Sequence, residues 1–140
     1  MAEMKISQLK SGPVIPFIYY HLPMMLYASA IIIVSSIPRL KTPQLNFIAV
    51  DKLAHFVEYA VFAFLTFRSF ANIRSNMNLT LAYVLSLIFL IIFAVIDELY
   101  QSFIPGRFSE FGDLLVDIFG SLLVVTFFWL RRRRLKEATK

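Results

Sequence analysis

Apolar positions in this chain fall in long blocks rather than at the alternating periods of a soluble fold. Four blocks stand out, covering approximately residues 17–38, 52–70, 78–97 and 111–130. A helix that crosses a bilayer needs about 20 mostly apolar residues, within a range of about 17–25. The third block carries no charge between Leu79 and Ile96, and the fourth is interrupted only by Asp113 and Asp117. The first has its densest part from Leu22 to Ile37 behind an aromatic lead-in at Phe17, Tyr19 and Tyr20, and the second holds His55 and Glu58. Both of these reach spanning length only with their flanking residues. The pattern predicts an all-α fold: an integral membrane four-helix bundle forming one domain over residues 1–140. A cleaved signal peptide is the competing reading of the first block, with Lys5 and Lys10 ahead of it and a small-x-small site at Ala28-Ser29-Ala30. The apolar run continues past that site through Ile31-Ile32-Ile33-Val34, which favours a retained span.

Composition supports a membrane location. Apolar residues make up 59% of the chain and charged residues 16%, against about 25% charged in a soluble domain. A soluble globular enzyme and a disordered chain are both excluded on this balance. There is no cysteine, hence no disulfide, thiolate metal site or cysteine nucleophile.

The net charge of +5 resolves into two ends. With four spans, both termini and the middle loop share one side. That side holds Lys5, Lys10, Arg68, Arg74, Arg131, Arg132, Arg133, Arg134, Lys136 and Lys140, whereas Arg39, Lys41, Lys52 and Arg107 lie on the other. The excess of Lys and Arg predicts cytoplasmic termini in a multi-pass protein of the plasma (inner) membrane. Arg131–Arg134 then reads as a membrane-flanking anchor, and nucleic acid is not an expected partner. Of the nine acids, Asp51, Glu58, Asp97, Glu98, Glu110, Asp113 and Asp117 all fall toward the outer side. The rule that places Lys and Arg does not place acids, so this clustering needs its own cause.

At about 100° per residue, Asp51, His55 and Glu58 fall within about 60° of arc on one helical face if the second helix begins near Asp51. Asp113 and Asp117 are i, i+4 neighbours on the fourth helix. At 1.5 Å per residue, Glu58 lies roughly 7.5 Å and Asp117 roughly 9 Å inside their apolar stretches. Ionisable groups at such depth face the interior and find partners. Asp97 and Glu98 sit at the negative end of the third helix, where two carboxylates need a cation or a proton. Lys52 and Arg107 are the available cations, and His55 is the proton carrier. Blander roles stand beside these: Asp51 as a helix N-cap, Asp113 as a first-turn acid, and Arg107 as a partner of Asp97 or Glu98. Pro105-Gly106 signals a tight turn that presents Arg107.

The segments Asp51-Lys52-Leu53-Ala54-His55-Phe56 with Tyr59, and Asp97-Glu98-x-x-Gln101-x-Phe103-Ile104-Pro105-Gly106-Arg107, resemble the VanZ-like family of small membrane proteins; Asp113 followed by Gly120 also fits. The family pattern often has Asn where this chain has Asp117. The family takes its name from an accessory protein linked to teicoplanin resistance. The resemblance implies the membrane fold and, more loosely, a role in the cell envelope; it supplies no biochemical activity.

Three functions are compatible with this pattern. The first is binding or modification of an envelope amphiphile (a membrane lipid, a lipid-linked precursor or a lipoglycopeptide), with possible consequences for glycopeptide tolerance. Lys52, Gln101, Arg107, Asp97, Glu98, Asp113 and Asp117 are the candidate binding residues. The second is an intramembrane hydrolase or transferase with His55 as base and Asp51 or Glu58 orienting it. In that case Asp97, Glu98, Asp113 and Asp117 offer hard oxygen ligands for Mg²⁺ or Ca²⁺. The third is a proton-coupled carrier using the carboxylates as relays. No GxSxG, HExxH or Walker signature is present, and no cofactor is identified.

Overall fold

The computed structural model describes residues 14–38, 47–74, 77–107 and 109–138. Lys5, Lys10, Arg39, Lys41 and Lys140 lie outside the described residues. Regular structure among the described residues is entirely helical: α1 (Val14–Tyr20), α2 (Leu22–Ser35), α3 (Phe47–Phe70), α4 (Leu79–Ser102) and α5 (Phe111–Ala138).

The first apolar block forms two helices because of one proline. Pro23 has no N–H to give to the carbonyl of Tyr19, four residues back. The guanidinium of Arg68, on α3, donates to that carbonyl instead, at 2.5 Å. The chain stays close to helical through the break, with the His21 N–H donating to Phe17 O at 2.9 Å and the Met25 N–H to His21 O at 3.1 Å. His21 Nδ1 also meets Ser69 Oγ at 2.7 Å. At the far end of α2, Val34 O takes the Ile37 N–H at 3.1 Å in a tight last turn before Pro38, and Arg107 Nη2 donates to the same carbonyl at 2.7 Å, with Arg107 Nε reaching Ile37 O at 3.4 Å.

Three helices extend beyond the apolar blocks that predict them. The N-terminal part of α3 starts at Phe47, since Phe47-Ile48-Ala49-Val50 carries no helix breaker. Asp51 is therefore inside the helix, which corrects its reading as an N-cap. Asn78 caps α4, its side-chain oxygen accepting from the Thr80 and Leu81 N–H groups at 2.9 and 3.3 Å. This helix continues to Ser102, so Asp97–Gln101 forms its last turns. The loop proper is a turn in which the Arg107 N–H donates to Ile104 O at 3.1 Å. Gly106 takes φ 82° there, the left-handed position that a type II turn with proline before it requires. The run Arg131–Arg134 continues α5 as helix, with Arg133 Nε bonded to Glu137 Oε1 at 3.0 Å.

The most extensive packing is between α3 and α5; α4 lies against both, and α2 against α3 and α4. Gly120 sets the α3–α5 approach, because a Cβ at this position would lie 3.1 Å from Phe56 O and 3.2 Å from its ring. Tyr59, Phe62, Ala63 and Phe67 of α3 fill the centre with Ala82, Leu90 and Ala94 of α4 and Val125 of α5. Phe62 packs on Phe93 with ring centroids 4.8 Å apart.

The outward faces are apolar. Leu53, Val57 and Val61 on α3, Ile88, Ile92, Ile96 and Leu99 on α4, and Leu115, Phe119, Leu122 and Leu123 on α5 are all exposed. So continuous an apolar surface, around an interior holding acids and hydroxyls, is that of a protein solvated by lipid. Helices α4 and α5 are each long and apolar enough to cross a bilayer. With 14 residues, α2 rises only about 21 Å, and α3 has the length but carries Asp51, Lys52, Glu58 and Arg68.

Candidate functional site

The C-terminal ends of α2 and α4 meet the N-terminal halves of α3 and α5, and the buried polar side chains collect where they meet. The inward stripe of each helix changes character along its length. On α4 it reads Ala82, Ser86, Leu90 and Ala94, then Asp97, Glu98 and Gln101; on α5 it reads Asp113 and Asp117, then Gly120, Ser121 and Val125. Position in the i, i+3/i+4 stripe sends these side chains inward, and their sequence order places the ionisable ones at one end.

At the centre, His55 Nδ1 lies 3.2 Å from Asp117 Oδ1, joining α3 to α5. Asp117 is 1% exposed and His55 8%. A proton on Nδ1 is donated to the carboxylate, leaving Nε2 without a hydrogen bond among the described residues. A second pair lies one turn nearer the helix ends: Lys52 Nζ donates to Asp113 Oδ1 at 2.8 Å and to Glu110 Oε2 at 3.4 Å. Gly112 leaves room for this ammonium, since a Cβ there would stand 2.7 Å from Nζ.

Helix α4 brings its two acids by different routes. Glu98 Oε1 accepts the Glu110 backbone N–H at 2.6 Å. Asp97 Oδ2 accepts from Gln101 Nε2 at 3.2 Å, and the same amide reaches Ser35 Oγ at 3.2 Å. Asp97 Oδ1 is buried without a partner among the described residues, as is the hydroxyl of Tyr59, one turn after His55 on α3. A buried polar atom left unpaired costs about 1–3 kcal/mol, so both are places for a water or a ligand group to act.

Several expected partnerships are replaced. His55 is paired by Asp117, not by Asp51 or Glu58; Glu58 shares the face but makes no hydrogen bond or ion pair among the described residues. Neither Lys52 nor Arg107 answers the two acids of α4. Lys52 is drawn to Asp113 of α5, and Arg107 is spent on the carbonyls of Val34 and Ile37 at the end of α2. The metal-capable grouping also differs from the expected four carboxylates. Asp51, His55 and Asp113 each offer one ligand atom, all within 4.8 Å of one another. Hard oxygen donors with one imidazole suit a divalent cation, but Asp113 is already held by Lys52. Ser35, Glu110 and Gly112 were not singled out as site residues from sequence. Glu110 carried a signal, as an outer acid near Asp113; Ser35 carried none, because a serine at a helix end is commonplace.

The model of the VanZ/LLP1 family matches residues 5–132, nearly the whole chain, and the chain belongs to that family. No curated protein and no solved structure matches it.

Proposed function

We propose, taking membership of the VanZ/LLP1 family as the premise, that this membrane protein crosses the plasma membrane as a four-helix bundle with cytoplasmic termini. In this reading α1 and α2 together make the first span, and α3 spans with Lys52 bonded to Asp113, Arg68 bonded to the Tyr19 carbonyl, and Asp51 and Glu58 partly buried. The end built on His55 and Asp117 faces outward and binds the headgroup of an envelope amphiphile: a lipid, a lipid-linked precursor or a lipoglycopeptide. The observation that carries the reading is a buried His55–Asp117 pair beside two unpartnered polar atoms, Asp97 Oδ1 and Tyr59 Oη. Buried ionisable groups in a membrane interior are costly, and they mark places where a ligand or ion is handled.

The same geometry narrows the headgroup. Both nearby cations are engaged by protein groups, so the site presents acceptors in excess of donors. It suits hydroxyls or an ammonium better than a bare phosphate. Tolerance of glycopeptides follows if the bound amphiphile is one those drugs recognise.

A second reading has one specific support. An imidazole held through Nδ1 by a buried carboxylate, with Nε2 unengaged, is how a general base is positioned. A hydrolase or transferase acting on the same amphiphile would use His55 as base and Asp117 to orient it. Purified protein incubated with a panel of envelope lipids separates the two. Binding alone predicts that lipid is retained, that His55→Ala weakens retention and that no product forms. Product formed by the wild type and lost in His55→Ala, with retention intact, favours catalysis. Failure to retain any lipid of the panel contradicts both.

A further inference from the structure

The opposite end of the molecule carries a different cavity. About 390 Å³ lies between the Tyr19 region of α1, the last turns of α3 and the basic end of α5. Three guanidiniums line it, those of Arg68, Arg131 and Arg132, and among the described residues no carboxylate does. The charges are not cancelled nearby. Among the described residues, neither Arg131 nor Arg132 pairs with an acid, and the acid close by in sequence, Glu137, is held by Arg133.

Two of the three arginines are also fixed in direction. Arg68 lies 4.1 Å over the Tyr19 ring while donating to the Tyr19 carbonyl, and Arg132 lies 5.8 Å over the Phe67 ring. Tyr20 completes the rim, and the rest of the wall is apolar, formed by Phe64, Phe128 and Leu135. A cluster of positioned cations at the rim of an apolar wall matches an anion with a hydrocarbon tail.

We infer that this cavity binds the phosphate headgroup of an anionic phospholipid in the leaflet at the basic end, with Arg131 and Arg132 as its principal contacts and Phe64, Phe128 and Leu135 against the first acyl carbons. Arg68 contributes charge at the rim while keeping its bond to Tyr19. The inference rests on the membrane-spanning reading but not on what the His55 end binds. Two neighbouring arginines predict an affinity difference of tenfold or more between anionic and zwitterionic lipid, since each basic residue near an anionic surface contributes about 1 kcal/mol.

The test uses the full chain in detergent, titrated with dioleoyl phosphatidylglycerol or dioleoyl phosphatidylcholine, with bound lipid counted by native mass spectrometry. Preferential retention of phosphatidylglycerol is expected, falling at least tenfold in Arg131→Gln/Arg132→Gln. The charge-matched Arg133→Gln/Arg134→Gln variant and His55→Ala should retain it, and matching helicity by circular dichroism confirms that both arginine variants fold. Equal retention of the two lipids, or an equal loss in the two double variants, overturns the inference. Binding of inorganic phosphate or glycerol phosphate as tight as that of the lipid would assign the site to a soluble phosphate and overturn it as well. No lipid retained at the His55 end of the wild type, with phosphatidylglycerol binding intact, counts against the outer-site proposal alone.

Discussion

Asp117 and His55 show what a single buried contact can be asked to do. Replacing Asp117 by Asn keeps an acceptor beside His55 Nδ1 and should cost little, about 1 kcal/mol, whereas Asp117→Ala leaves the imidazole N–H unanswered and should cost about 1–3 kcal/mol. Reversible unfolding in mixed micelles reads the difference; equal losses would mean that the charge of the carboxylate, and not its shape or a neutral acceptor, carries the contact. The Lys52–Asp113 pair supports a sharper test, because Asp113 is buried while Lys52 is partly exposed. Lys52→Met strands a carboxylate, and Lys52→Met/Asp113→Asn removes the problem along with the pair. The double variant should therefore be more stable than the sum of the single losses predicts, by a coupling of about 0.5–3 kcal/mol; strict additivity would show that the 2.8 Å contact contributes nothing. At this scale the sequence was partly legible. Depth in an apolar block marks Glu58 and Asp117 as inward groups, and helical arithmetic places Asp51 and His55 together. Which carboxylate serves which cation was not legible, since it depends on the distance between α3 and α5, and no spacing along one helix encodes that.

Between elements, glycine and proline explain most of what charge and hydropathy leave out. Gly120 lets α3 and α5 close to the distance at which His55 meets Asp117. Gly120→Leu should cost about 1–3 kcal/mol by overpacking and should abolish retention of lipid at the His55 end, while Gly112→Ala, which crowds only the mobile end of Lys52, should leave the fold intact. A Gly120→Leu protein of unchanged stability would show that the helices do not need this close approach. The prolines work through arginines on other elements. Pro23 opens Tyr19 O to Arg68, and the turn before Pro38 presents the Val34 and Ile37 carbonyls to Arg107. From sequence, Arg107 reads as a ligand-binding fork or as a partner of Asp97 or Glu98; the carbonyls of Val34 and Ile37, distant in the chain, are what hold it instead. The apolar blocks also stop short of the ends of α3, α4 and α5. Polar residues end an apolar block without ending a helix, and Gln101, bonded to Asp97 within the last turns, keeps α4 helical through the motif.

For the molecule as a whole, the uneven charge becomes a statement about two ends with different chemistry. The acidic end holds paired and unpaired polar groups in its interior, and the basic end holds a cavity lined by arginine. The proposed orientation predicts that in Ser109→Cys, made in a chain with no native cysteine, the thiol reacts with an impermeant reagent on intact cells, and that in Arg74→Cys it reacts only after lysis; the reverse order would invert the topology. Membrane character was the most legible property of the sequence, because it needs only the length and purity of α4 and α5. The ligand was the least legible, because acceptors and donors take their meaning from neighbours contributed by four separate helices. The central claim, that the His55–Asp117 end holds an envelope amphiphile, is tested most directly by extracting the protein from its native membrane in lipid nanodiscs and identifying the lipids retained. The account predicts one amphiphile class enriched with the wild type and lost from both His55→Ala and Asp117→Ala, each still folded; an identical lipid profile in all three proteins would contradict it.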